Sequence, residues 1–113
     1  MAPQPASSRL IESFLEMIAA ERGGAKNTIQ AYARDLADYS ARLSAIGKTP
    51  LDASSEDIRA YLKMLEKRGL KAASSARKLS SIRQFHRFLL AEGARRENPA
   101  AIIEGPRRGR GLP

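Results

Sequence analysis

Seven basic side chains, Lys67, Arg68, Lys71, Arg77, Lys78, Arg83 and Arg87, stand between positions 67 and 87 with no Asp or Glu among them. Acids are common elsewhere in the chain, so the asymmetry needs a cause. Ser74 and Ser75 mark the expected start of a helix inside this window, and a cation in a helix's first turn opposes the macrodipole by about 0.3–1 kcal/mol. A bound anion removes that conflict. Exposed N–H groups at a helix start, hydroxyls and neighbouring basic side chains together form a cradle for phosphate. At helical spacing Ser74, Arg77, Ser81 and Gln84 share one polar strip, and Asn27, Gln30 and Arg34 share another. Two helices can thus present short donors and arginines to one duplex. A charge run alone is commonly just a solvated face; the missing acids, the helix start and the narrow strips are what point to a polyanion. The reading requires that Arg77 and Arg34 face the same way and that no acid of the chain neutralises them. On it, Arg77→Glu weakens duplex binding and leaves the thermal midpoint nearly unchanged.

Catalysis finds no comparable support. The single histidine, His86, falls on an apolar face, where it reads as a packing residue. Carboxylates are scattered without His or Cys neighbours, so neither a metal nor another cofactor is expected. Gly23-Gly24 has neither the spacing nor the preceding strand of a phosphate loop or dinucleotide fingerprint. No serine or tyrosine has a credible base, and the chain is not expected to act as an enzyme by itself or to take a small-molecule substrate.

The elements that must position the basic residues are helical, because Ala, Leu, Arg, Lys and Glu outweigh β-branched and aromatic residues. A first segment follows Ser7 and Ser8, places Ile11, Phe14, Leu15 and Ile18 on one face, and stops at Gly23-Gly24. The second starts around Lys26-Asn27-Thr28 and keeps Ile29, Tyr32, Leu36, Tyr39 and Leu43 on one stripe until Gly47. Ser54 with Asp57 three residues later resembles a capping box for a third helix carrying Ile58, Tyr61, Leu62 and Leu65, which Gly69 ends. The fourth, about 73–91, sets Leu79, Ile82, His86, Leu89 and Leu90 on one side. Phe88 falls among its polar positions, which predicts a helix contacted on two sides over its C-terminal half. Gly93 closes it, and Asn98-Pro99 fits the start of a short helix through Ile103. The three tyrosines lie on apolar stripes and read as core residues with their hydroxyls at the rim.

With 113 residues the chain is one domain. The expected class is all-α, an orthogonal bundle of four main helices plus a short C-terminal one. Residues 1–7 read as a disordered tail, 8–104 as the helical domain and 105–113 as a basic linker carrying Arg107 and Arg108, from which a further domain is expected to follow. A net charge of +8 and a pI of about 10.4 favour nucleic acid, an anionic membrane surface or an acidic protein as partner. Cysteine is absent, which fits a reducing cytoplasm, and no apolar run approaches the roughly 18 residues of a membrane span.

The motifs resemble the N-terminal core-binding, or SAM-like, domain of Xer-type tyrosine recombinases, relatives of the phage integrases. Thr28, Tyr32, Asp35 and Leu36 stand as T-x-x-x-Y-x-x-D-L, and Ser74, Arg77, Leu79, Ser80, Ile82, Arg83, Phe85 and Phe88 as S-x-x-R-x-L-S-x-I-R-x-F-x-x-F. Asn98-Pro99, Pro106-Arg107 and Leu112-Pro113 are similar to the family's exit toward its catalytic domain. The resemblance implies half of a C-shaped clamp on double-stranded DNA, with the second and fourth helices facing the duplex and other recombinase protomers as partners. Lys26, Asn27 and Thr28 would lie at one contact; Ser74, Ser75, Arg77, Lys78 and Ser81 would lie at the other, with Lys71 as a further phosphate ligand. The implied reaction of the whole protein is DNA cleavage and rejoining through a 3′-phosphotyrosyl link, its catalytic residues lying outside this chain. The resemblance leaves open whether that protein resolves chromosome dimers or mobilises an element. The rival reading is a helical adaptor whose basic face meets an acidic protein. A membrane-surface role fits less well, because the apolar stripes are committed to the core.

Overall fold

Four helices form the molecule in a computed structural model that describes residues 5–22 and 26–104: α1 (Pro5–Arg22), α2 (Lys26–Ala45), α3 (Ser55–Lys67) and α4 (Ala72–Ala91). No strand occurs among the described residues. The predicted apolar faces are largely the buried ones, except that Leu90, expected on the apolar side of the fourth helix, is 41% exposed. Phe14 and Ile18 of α1, Leu36, Tyr39 and Leu43 of α2, and Ile58, Tyr61 and Leu65 of α3 close around α4, which touches all three other helices. α4 is accordingly apolar over more than one stripe, burying Leu79, Ile82, Phe85, His86, Phe88 and Leu89. Phe88 is thereby explained. Its ring lies 5.6 Å from Phe14 of α1, while His86 turns to Tyr39 of α2, so the C-terminal half of α4 is enclosed on both sides.

Local signals fix the ends. Ser54 Oγ accepts from the Asp57 N–H at 3.1 Å and Asp57 Oδ2 from the Ser54 N–H at 2.9 Å, which completes the capping box of α3. α3 and α4 both stop in Schellman turns. At α3 the N–H of Gly69 bonds to the Glu66 carbonyl and that of Leu70 to the Leu65 carbonyl, which requires the positive φ of 88° that glycine adopts freely.

Two boundaries differ from the sequence expectation. α1 begins at Pro5, so residues 5–7, expected in the tail, are helical; proline is tolerated in a first turn because its missing N–H would have no helical partner there. The expected helix from Asn98 through Ile103 is instead a pair of turns, with Ala101 N–H on the Asn98 carbonyl and Ile103 N–H on the Ala100 carbonyl. The Pro99 carbonyl, which a helical turn would give to Ile103, accepts from Ser55 Oγ at 2.7 Å, and the Ile103 carbonyl is taken by the Arg83 guanidinium. Tertiary bonds have replaced the helical ones. The expected stop at Gly23-Gly24 and the linker over 105–113 lie outside the described residues, whose helices include none long and apolar enough to cross a membrane.

Candidate nucleic-acid interface

α2 and α4 pack against each other, and between their N-terminal halves lies a shallow cleft of about 220 Å³ lined by Thr28, Ala31, Tyr32, Asp35, Arg77, Ser80 and Ser81. Thr28, Ala31 and Asp35 recur at helical spacing along one wall. At 3.6 residues per turn, Asn27 and Arg34 flank the Ala31 edge of that wall. Lys26, Asn27, Thr28, Gln30 and Arg34 are all exposed, as are Lys71, Arg77 and Ser80. Arg77 and the Thr28 end of α2 therefore open on a common face.

The centre of the cleft is ionic. Asp35 is 1% exposed, and its Oδ1 accepts from Arg77 Nη2 at 2.8 Å and from Lys78 Nζ at 3.1 Å. Its Oδ2 accepts from Ser81 Oγ at 2.8 Å. Burial by itself would raise the Asp35 carboxyl, but the hydrogen bonds from Ser81, Arg77 and Lys78 outweigh it and hold the group below the usual carboxylate value. Asp35 is thus a charged carboxylate that faces two cations. The Lys78 side chain is only 17% exposed, whereas that of Arg77 is 56% exposed, so the surplus positive charge is presented by Arg77.

This network corrects the sequence reading at several positions. The condition that no acid of the chain pairs with Arg77 is not met, because Asp35, 42 residues away, binds one of its nitrogens; its role as a contact rests on the side chain's remaining 56% exposure. Lys78 is largely spent on the same acid. Ser81 and Ser75, each 2% exposed, point into the protein; Ser81 serves Asp35, and Ser75 Oγ has no hydrogen-bond partner among the described residues. Their side chains are closed to a macromolecule in this conformation. Gln84 donates to the Tyr32 hydroxyl at 2.9 Å and is half-buried. Ser74, in the first turn of α4, is also half-buried. The start of α4 is less basic than its sequence window implies. Lys71 is its N-cap, with no side-chain cap, while Arg77 and Lys78 follow in the second turn, and no acid occupies the first. Arg107 and Arg108 lie outside the described residues.

Two residues escaped the sequence reading. Ser80 shares the exposed cleft wall with Thr28 and Arg77, a position that the spacing from Arg77 could have supplied. Asp35 was visible only as a motif letter, because the acid that serves a basic window can come from another helix. The tyrosines and the histidine lie where the apolar stripes put them, except that the Tyr39 hydroxyl, expected at the rim, is inside the core because His86 supplies a buried partner. The Tyr39 hydroxyl and His86 Nε2 share a hydrogen bond of 2.7 Å in the core, and Tyr61 donates to Asp38 at 2.5 Å. Burial, with the positive charge of Arg95 adding to it, lowers the His86 pKa to about 3, which keeps the ring neutral.

Comparison with known proteins shows the family. Residues 11–93 match the family described as phage integrase, N-terminal SAM-like domain. The chain is similar to the tyrosine recombinase XerD of Bradyrhizobium diazoefficiens, 48% identical over 113 residues, all of this chain and 36% of the relative. It is also similar to XerD of Rhizobium meliloti, 49% identical over 107 residues (95% of this chain, 34% of the relative), and of Caulobacter vibrioides, 46% over 102 (90% and 33%). The chain thus spans about a third of the length of these curated relatives. No solved structure matches it significantly. The all-helical architecture and the sequence match coincide over the same residues, and the chain belongs to the phage integrase N-terminal SAM-like domain family.

Proposed function

We propose that this chain is the DNA-binding N-terminal domain of a site-specific tyrosine recombinase, and that it meets a recombination half-site with the first half of α2 and the N-terminal half of α4. The observation that carries the reading is the cleft that Thr28 of α2 shares with Arg77 and Ser80 of α4, all three exposed. Lys26, Asn27, Thr28, Gln30 and Arg34 stand on one helix and Lys71, Ser80 and Arg77 on its neighbour, while the acid among them is buried under two cations. Ser74 contributes at the start of α4, where backbone N–H groups lacking a side-chain cap suit a phosphate oxygen. Ser75, Ser81 and Gln84 support the face from within, and Lys78 reaches it through its charge more than its contacts. In the whole protein the proposed reaction is strand cleavage and rejoining through a 3′-phosphotyrosyl link, by catalytic residues outside this chain and in company with further protomers. This part supplies affinity and half-site choice.

Duplex titration across a range of salt tests the proposal. If Lys26, Arg34 and Lys71 each neutralise one phosphate, log affinity falls against log salt with a slope near −3, about −0.9 per contact. Arg34→Ala then reduces the magnitude of the slope by about one contact. An affinity indifferent to salt, or no binding to any duplex at moderate salt, excludes the reading and leaves an adaptor for an acidic protein.

A further inference from the structure

We propose that Asp35 is a positioning residue for DNA binding, holding Arg77 across the α2–α4 cleft so that the free edge of its guanidinium meets the duplex. The inference rests on the DNA-binding reading above. Three observations carry it. First, Asp35 lies on α2 and its cationic partners on α4, so the bond spans the two helices that bear the proposed interface. Second, the contact uses one terminal nitrogen of Arg77, Nη2, at 2.8 Å, and leaves the side chain 56% exposed at the cleft. A guanidinium has five N–H donors in a rigid fork, so fixing one edge orients the rest. Third, Lys78 is 17% exposed against the same carboxylate, and Ser81 occupies its other oxygen at 2.8 Å. Asp35 is therefore neutralised and its direction fixed from within, and Arg77 reaches the surface as a net cation on a rigid mount. An arginine held this way loses less freedom on meeting phosphate or a base edge than a mobile one would.

The same geometry sets positioning against simple charge counting. Asp35→Asn removes a negative charge, so by net charge alone it should tighten duplex binding. If Asp35 orients Arg77, the variant binds about tenfold more weakly despite its extra positive charge, the scale of one lost charge-assisted contact. The measurement is duplex affinity against salt for the wild type, Arg34→Ala, Asp35→Asn, Arg77→Met and the double variant Asp35→Asn/Arg77→Met. Each is used at a temperature where circular dichroism shows it folded. Because Asp35 acts through Arg77, Asp35→Asn is expected to cost nothing further in the Arg77→Met background. Undiminished binding by Asp35→Asn, or an equal loss in both backgrounds, overturns the inference. Should Asp35→Asn fail to fold, Arg77→Lys carries the test, since it keeps the cation and can still reach Asp35 but has no second edge. Several-fold weaker binding at an unchanged salt slope supports the role, and unchanged affinity overturns it. A wild type without salt-dependent duplex binding removes the DNA reading and this role together. A wild type that binds, is weakened by Arg34→Ala and is untouched by Asp35→Asn removes the positioning role alone.

Discussion

Asp35 turns Arg77 from a surface cation into part of a buried-carboxylate network, and the consequence of substituting it changes accordingly. Arg77→Glu sets a second carboxylate against Asp35, leaving only Lys78 to balance both. The expected cost is about 2 kcal/mol of stability by urea unfolding, in place of the unchanged midpoint that the sequence alone predicts. A variant as stable as the wild type means that the Asp35–Arg77 bond is not maintained in solution. His86 gives the second residue-scale prediction. Its folded pKa of about 3 lies below the ordinary 6.5, so the unfolded chain takes up the proton first. Stability from its burial is full above about pH 6.5 and drains away as pH falls toward 3, by at most about 1.4 kcal/mol per pH unit. The carboxyls of Asp35 and Asp57, held below 3.8, add their own losses only at lower pH. Unfolding free energies between pH 7 and 4.5 therefore isolate the histidine, and His86→Gln should flatten the profile; an identical profile in that variant refutes the assignment. Both roles turn on sequence distance. A lone histidine on an apolar stripe announces its burial, whereas an ion pair 42 residues apart leaves no local trace.

Helix ends repeat that contrast. The capping box of α3 was legible because Ser54 and Asp57 satisfy each other's backbone within one turn, and Lys48 reinforces Asp57 at 2.7 Å. Ser54→Ala should cost about 1 kcal/mol, read as a lower thermal midpoint. Gly69→Ala tests the other end of the same helix. Nothing lies within 4 Å of the added methyl, so the loss, about 1 kcal/mol, would come wholly from holding a φ of 88°. The turns over 98–104 were not legible, because Asn98-Pro99 is a sound local start signal that Ser55 and Arg83 override from other elements. The two-sided burial of α4 was legible in part. Phe88 betrayed the second contact face, but Ser75 and Ser81 read as outward donors because short hydroxyls carry little information about which side of a helix is buried.

Among the described residues some cations are spent inside the protein and others stay exposed, Arg77 doing both. Arg83 and Arg95 are turned inward upon carbonyls of other segments, and Lys48 and Lys78 upon carboxylates. Lys26 and Arg34 on α2 and Lys71 at the start of α4 stay exposed. A net charge of +8 does not distinguish the two kinds, which is why composition predicted a polyanionic partner without locating its surface. Arg95 offers the sharpest separation. Its Nη1 donates to the Pro50 carbonyl at 3.0 Å and the Ala53 carbonyl at 2.9 Å, fastening the loop before α3 to the segment after α4, away from the cleft. Arg95→Ala leaves both acceptors without that donor and should cost about 2 kcal/mol of stability. It should nevertheless leave duplex affinity and salt slope unchanged while the chain is folded, although it removes the same unit of charge as Arg34→Ala. Arg34→Ala should do the reverse, weakening binding with no measurable change in unfolding. If both variants weaken the duplex equally, binding follows total charge and no particular face of the bundle is the interface.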